Sequence, residues 1–438
     1  MDPAQGARRT ARCRARRATE GAAERLLRAG LPALGSGGQP ARPGREHRCQ
    51  GNGIRRVSGP LAGLRVIDFT RLIAGPAAAD LLAAMGADVI KVEDRAGDPM
   101  RNARSRRVER GLTAPSFAAY NVHKRSVAVD LKAPEGLAAA LRLCDTADAV
   151  LSSFRPGVME RLGLGADVLR ERNPDLVVAR LSAFGETGPD TGRGGVDIVL
   201  QAETGLMSIT GEAGGSPVKA GMPVIDAASG YVLALGVVSA LLGRARAGTA
   251  GEVAVSMFDV GVHLQAQPIA EFLDSGREPE RVGNRAPYAA PADVFRAADG
   301  TLVLSAHLPQ HWTRLCELLD RPQWITDPRF STVDARVANR EALSAALEEV
   351  LATASVDDWL RLFDGAGLTA GRIRGYQDVV SARGADFVAG AEDLDGTPIR
   401  VVRSPLRFHG WDDAAPRRRV PAVGEHTDEL LAAPTEVP

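Results

Sequence analysis

Short apolar runs and stretches of helical period alternate along most of this chain. Leu64–Thr70, Ala87–Glu93, Asp148–Ser152 and Leu176–Ala183 are rich in Val, Ile, Leu and Ala with few polar interruptions. That pattern predicts strands covered on both faces. Between them, Pro76 stands at the first turn of a helix predicted over Ala77–Met85. Further helices are predicted at Pro134–Cys144 and about 166–172, and a longer one from Asp226 to Arg246, with Glu252–Met257 as the next strand. The alternation predicts an α/β fold: a doubly wound, mostly parallel sheet.

The pattern changes after Phe258. Gly283-Asn-Arg-Ala-Pro-Tyr-Ala-Ala-Pro291 reads as loop, and Val294–Leu304 as a hairpin about Asp299-Gly300. Helical periods follow at about 310–319, 340–352 and 356–363. The implied organisation is a tail at 1–56, a large α/β domain at 57–257 and a linker at 258–285. A smaller inserted α+β domain at 286–385 follows, and 386–438 forms a linker and a C-terminal segment.

Composition sharpens this picture at one end. A chain of 438 residues can build two or three domains. Its zero net charge hides an asymmetry: residues 1–56 carry thirteen arginines and four acids, and the remainder is correspondingly acidic. With so few apolar residues, that leading segment is expected to be disordered. Three readings of it stay open: upstream sequence translated from a misplaced start, which we favour, an organelle transit peptide, or a nucleic-acid arm. No run approaches ~18 uninterrupted apolar residues, so no membrane span is expected. The basic segment has no aromatics or folded module beside it, so no nucleic-acid partner is expected either. Cys13, Cys49, Cys144 and Cys316 lack metal-type spacing, so they read as reduced thiols of a cytoplasmic protein with no metal site.

The chemistry centres on Asp226, which closes Lys219-Ala-Gly-Met-Pro-Val-Ile-Asp226 ahead of the long apolar helix. A carboxylate between a strand and a helix N-terminus is a usual mount for chemistry in α/β proteins. Local pattern alone favours a helix N-cap there. Asp197, in Gly194-Gly-Val-Asp197, reads equally as a cap or as a group near a reacting centre.

Ordered motifs decide more than either aspartate. They run from Pro60-Leu-Ala-Gly-Leu-Arg-Val-Ile-Asp-Phe-Thr70 through Met85-Gly-Ala-Asp-Val-Ile-Lys-Val-Glu93, Asn121-Val-His-Lys-Arg-Ser126 and Phe154-Arg-Pro-Gly157 to Gly424-Glu-His-Thr-Asp-Glu429. Over roughly residues 59–431 this succession resembles the family III CoA-transferases. The resemblance implies a nucleophilic aspartate at Asp226 and an acidic partner at Asp197. It places CoA contacts at Ile73, Ala74, Arg95, Val129, Lys132, Ser153, Phe154 and Arg161. It also implies CoA or acyl-CoA as substrate with no permanently bound cofactor, a carboxylic acid as the second substrate, and a homodimer of interlocked subunits.

Departures from the pattern narrow the expectation. The related α-methylacyl-CoA racemases, the alternative reading, carry a histidine where this chain has Val196, and racemisation needs two bases. Ile73 replaces the glutamine of formyl-CoA:oxalate transferases, whose glycine-rich loop is also missing from 280–295. Ser153 replaces the usual asparagine. The chain has only four lysines, Lys91, Lys124, Lys132 and Lys219, against fifty arginines. All four fall in family-like segments, which suggests that they face the nucleotide of CoA.

Overall fold

The computed structural model describes residues 59–411 and 419–432; the reading of residues 1–56 falls outside them. The chain divides into two compact units, one formed by residues 284–373 and a larger one holding the rest of the described chain.

The larger unit is built on strands β1 (Arg65–Phe69), β2 (Asp88–Glu93), β3 (Arg125–Ala128), β4 (Ala149–Ser152), β5 (Val177–Ser182) and β6 (Glu252–Ser256). They form one sheet in the order β3-β2-β1-β4-β5-β6. Every pair is parallel, with Ile67 of β1 opposite both Ile90 and Val150. Strand β3, with its basic start, was not among the expected strands. The helices are α1 (Ala74–Ala84), α2 (Pro134–Asp145), α3 (Ala166–Arg172), α4 (Asp197–Glu203), α5 (Val224–Ala247), α6 (Met257–His263) and α7 (Ala266–Ser275), short turns being left unnumbered.

Alternate strand residues feed two cores. Val66, Val89, Leu151 and Val177 pack with Leu82 of α1 and Leu233 and Val237 of α5. Ile67, Ile90, Val150 and Val178 pack with Leu143 of α2 and Leu169 of α3 on the other face. Both faces of each central strand are therefore dry, which is why the strands read as continuous apolar runs. Gly230 lets α1 and α5 approach closely, because a Cβ there would lie 2.9 Å from the Ala74 carbonyl oxygen and the Ala77 Cβ.

Several expectations need correction. Residues 219–223 are irregular, not a strand, and α5 begins at Val224 behind Pro223. Asp226 therefore lies in the first helical turn, not at the cap, since Pro223 already supplies a helix-ready φ without an N–H to satisfy. Residues 258–285 are not a plain linker but carry most of α6 and all of α7. Among the described residues α5 is long and apolar enough to cross a membrane by length and composition. No uninterrupted run marked it because Ser229, Gly230, Ser239 and Gly243 interleave its apolar residues. One face of α5 lies in the sheet core, while Tyr231, Leu235 and Leu242 are exposed.

The smaller unit holds β7 (Ala292–Arg296), β8 (Thr301–Ser305), α8 (Pro309–Leu318), α9 (Arg340–Leu351), α10 (Val356–Gly365) and β9 (Thr369–Arg372). The expected hairpin is β7–β8, and β9 joins it as an antiparallel third strand that sequence reading missed. Trp312, Phe295, Phe330 and Phe363 fill its core. This unit closes at Ile373, short of the expected 385.

Helix α11 (Tyr376–Phe387) belongs to the larger unit, followed by a separate two-stranded hairpin of β10 (Val388–Glu392) and β11 (Pro398–Val402). Helix α12 (Thr427–Leu431) lies beside β3: the His426 N–H donates to the Ser126 carbonyl at 2.9 Å, and Thr427 Oγ1 accepts the Ala128 N–H at 3.1 Å.

Candidate active site

The strand order reverses between β1 and β4, and in doubly wound sheets ligands bind outside the carboxyl ends of the strands at that switch point. A cavity of about 580 Å³ occupies the place. Its walls are the loops after β1 (Arg71–Gly75), β4 (Ser153–Pro156) and β5 (Leu181–Gly185), together with 192–196 before α4, Asp226 and Met257.

The loop after β1 is fixed from below by buried ions. Lys91 Nζ donates to the Thr70 carbonyl at 2.8 Å and pairs with Asp98 at 2.9 Å. Lys124 Nζ pairs with Asp68 at 2.9 Å and donates to the Pro76 carbonyl at 3.0 Å. Asp68 in turn accepts the Thr70 N–H at 2.9 Å. Burial alone would raise the Asp68 carboxyl, but Lys124 and Lys91 hold it below its ordinary value. These two lysines thus face the core and not a nucleotide, because each completes a buried pair that one partner alone could not sustain. Held at both ends, the loop carries Leu72 at φ 67°, a left-handed conformation costly for a side chain with a Cβ.

Ser153 is engaged within the site: its Oγ accepts the Arg71 N–H at 3.0 Å and ties the β1 and β4 loops together. Arg71 also pairs with Asp94 at 2.9 Å and lies over the Phe154 ring. Arg193 pairs with Asp190 and Glu203 over the Phe184 ring. The Arg155 guanidinium packs on Gly194 and would have to shift to admit a Cβ there.

Asp226 faces the cavity from the first turn of α5, and its carboxylate accepts no hydrogen bond among the described residues. Burial, and then the charge of Asp197, push it up to about 6. Burial and the charge of Asp226 likewise raise the Tyr120 phenol. Asp197 does not cap its own helix, where Val196 is the N-cap. Its Oδ1 accepts the N–H groups of Ile225 at 2.8 Å and Asp226 at 3.1 Å, so it caps α5 from outside. Those two N–H groups at the helix start are thereby taken.

The cavity brings together Asp226, Ile73, Ala74, Ser153 and Phe154, with Asp197 behind the first turn of α5. It does not include Arg95, Val129, Lys132 or Arg161: Val129 is buried, and the three cations are exposed outside it. Sequence reading missed Arg71, Arg193, Phe184 and Met257, which lie between or beside the quoted motifs. Among the described residues no group of three His, Cys, Asp or Glu is placed to hold a metal.

Comparison with known proteins agrees with this architecture. The family model described as CoA-transferase family III matches residues 61–427. A probable fatty acyl-CoA transferase of Mycobacterium tuberculosis is 39% identical over 398 residues, covering 86% of this chain and 98% of that protein. A succinate–glutarate CoA-transferase of Agrobacterium fabrum is 36% identical, covering 85% of this chain and 95% of its own length. A crystal structure of the mycobacterial protein superposes with a TM-score of 0.77 at 40% identity over 86% of this chain and 99% of that one. A CaiB/BaiF family protein from Brucella suis gives 0.75 at 32% identity, covering 86% of this chain and 99% of that one.

Proposed function

The chain belongs to CoA-transferase family III, and from that premise we propose that it moves CoA from an acyl-CoA to a free carboxylic acid through a covalent intermediate on Asp226. The observation that carries this reading is a half-buried carboxylate without a hydrogen-bond partner among the described residues, raised to about 6 and facing a cavity at the sheet's switch point. A poorly solvated carboxylate of raised basicity is a stronger nucleophile yet is still mostly ionised near pH 7.

An Asp226 oxygen attacks the thioester carbonyl, the C–S bond breaks, and a mixed anhydride and CoA thiolate result. The thiolate attacks the aspartyl carbonyl of that anhydride, releasing the donor acid and leaving an aspartyl-CoA thioester. The acceptor carboxylate attacks this thioester and expels the thiolate again. Attack of the thiolate on the acceptor's acyl carbon gives the new acyl-CoA and regenerates Asp226. Each bond made replaces one broken, and no net proton is transferred.

Succinyl-CoA serves as donor in this reading, in keeping with the names of several relatives. CoA lies across Ile73, Ala74, Ser153 and Phe154, with Arg95, Val129, Lys132 and Arg161 along its nucleotide portion, and the enzyme is cytoplasmic. The apolar side chains that α5 and α7 expose, Leu235 at 67% and Leu273 at 75%, support a homodimer. Val196, rather than a histidine, lines the cavity beside Asp197, which favours transfer over racemisation.

The test is to incubate the protein with succinyl-CoA and a panel of carboxylic acids and follow the thioesters by mass spectrometry. Asp226 should gain an acyl or CoA adduct that borohydride traps. Adducts mapping elsewhere, or α-proton exchange in D₂O without CoA exchange, would overturn the assignment.

A further inference from the structure

Behind the nucleophile, α4 presents two polar side chains four residues apart, so both lie on one helix face. Asp197 is the first. The second is Gln201, which is fully buried. Its two ends do different work: Nε2 donates to Asp197 Oδ2, and Oε1 accepts the Ala220 N–H at 2.8 Å. Ala220 belongs to the irregular segment that leads into α5. A single amide therefore joins the carboxylate that caps α5 to the backbone that enters α5.

The cap itself is unusual. Pro223 occupies the N-cap position and offers no side-chain hydrogen bond, so the N–H groups of Ile225 and Asp226 depend on Asp197. Asp197 can serve both only if its carboxylate plane is fixed, and its remaining oxygen is fixed by Gln201. Buried polar groups of this kind are costly unless every member is paired, and here each is.

We propose that Gln201 is a positioning residue for the reaction: it holds Asp197 across the start of α5 and so sets both where the Asp226 carboxylate points and the negative charge that stands beside it. Gln201 does not line the cavity and touches neither substrate. The inference rests on Asp226 being the nucleophile.

Several charged or titratable groups stand around Asp226. Asp197 faces it from α4 and Tyr120 from the turn before β3, with Tyr231 of α5 close to Tyr120. Asp80 of α1 lies close to Tyr120, while α6 contributes only the exposed Asp259 and His263. Of the cations at the cavity wall, Arg71 and Arg193 are paired with acids, and Arg155 packs on Gly194. Of these groups Asp197 is the one whose charge raises Asp226, after burial. Loosening Asp197 should therefore lower the pH at which Asp226 ionises.

The experiment compares the wild type with Gln201→Met, Asp197→Asn and the double variant. It uses acyl-CoA:acid exchange from pH 4.5 to 8, with active enzyme counted by the mass of the Asp226 adduct. For Gln201→Met we expect kcat per active site to fall about 10–100-fold with KM for acyl-CoA within about twofold, the signature of lost positioning and not of lost uniform binding. The acid limb of kcat/KM should move to lower pH in both single variants. The double variant should be no worse than Asp197→Asn alone, because the two residues act in one chain.

A Gln201→Met enzyme with an unmoved acid limb and wild-type kcat per active site would overturn the proposal. So would one whose loss appears only as a smaller active fraction, the mark of a purely structural role. If Gln201→Met does not fold, Asp197→Asn decides, since it removes the charge and breaks the bond from Gln201 while an asparagine oxygen can still accept both N–H groups; an unmoved limb there also overturns the proposal. A wild-type protein that never labels Asp226 would refute the underlying nucleophile instead, and the two failures are distinct.

Discussion

Asp226→Asn should make this protein inactive and more stable at the same time. In the folded chain, burial and then Asp197 raise the carboxyl from its ordinary 3.8 to about 6, a difference worth about 3 kcal/mol if all of it opposes folding. The carboxylate faces an open cavity, so solvent screening reduces this to roughly half. The charge also interacts favourably with the helix start, by about 0.5 kcal/mol, and that contribution is lost. A net gain of about 1 kcal/mol remains, or about 1–2 °C in melting temperature for a unit of this size. The sign follows from linkage. Below pH 3.8 the group is protonated in both states and Asp226 costs nothing. Between 3.8 and about 6 the unfolded chain ionises first, so the penalty grows as pH rises, and above about 6 it is constant. The advantage of the asparagine should accordingly be small at pH 4.5 and level off above pH 6.5. Thermal melts of both proteins in steps from pH 4.5 to 8, with exchange activity measured alongside, test this. A variant that melts below the wild type at pH 7.5, or whose gain is the same at pH 4.5, would refute the argument that Asp226 is held against its own stability.

Three further outcomes are expected. Wild-type kcat/KM should fall about tenfold per pH unit well below pH 6, as Asp226 protonates, provided that acyl-CoA binding itself is flat over the range; a profile level down to pH 5 would count against Asp226 as nucleophile. Lys124→Met should destabilise the protein by about 3–5 kcal/mol in denaturant melts, because it leaves Asp68 buried without its cation, and adding Asp68→Asn should recover part of the loss. Leu72→Val should cost about 1–2 kcal/mol more than Leu72→Gly, although valine keeps more apolar surface, because a β-branched residue is the worse occupant of φ 67°; equal melting temperatures would show that the strain is not real.

The family, the parallel sheet and the identity of the candidate nucleophile were legible in the sequence for local reasons. Val66-Ile67 and Val89-Ile90 read as strands because both faces of each are buried, so no polar alternation interrupts them. Asp226 was legible through the ordered motifs around it. The functions of the supporting residues were not, because they depend on pairs distant along the chain. Lys91 and Lys124 read as cations available to a nucleotide, and only the crossing of β1, β2 and the β3 entry buries them against Asp98 and Asp68. Ser153 read as a substrate contact; its tie to the backbone of Arg71, 82 residues earlier, could not be read from the chain. Asp197 read equally as the cap of its own helix or as a group near a reacting centre; it caps a helix that begins 27 residues later, steadied by Gln201, which no local signal distinguished. The sequence by itself determined which segments are apolar and which chemistry they frame. Tertiary structure decided which charges are spent inside the core and which remain to face the cavity, because burial and pairing are properties of where chains cross and not of the residues in order.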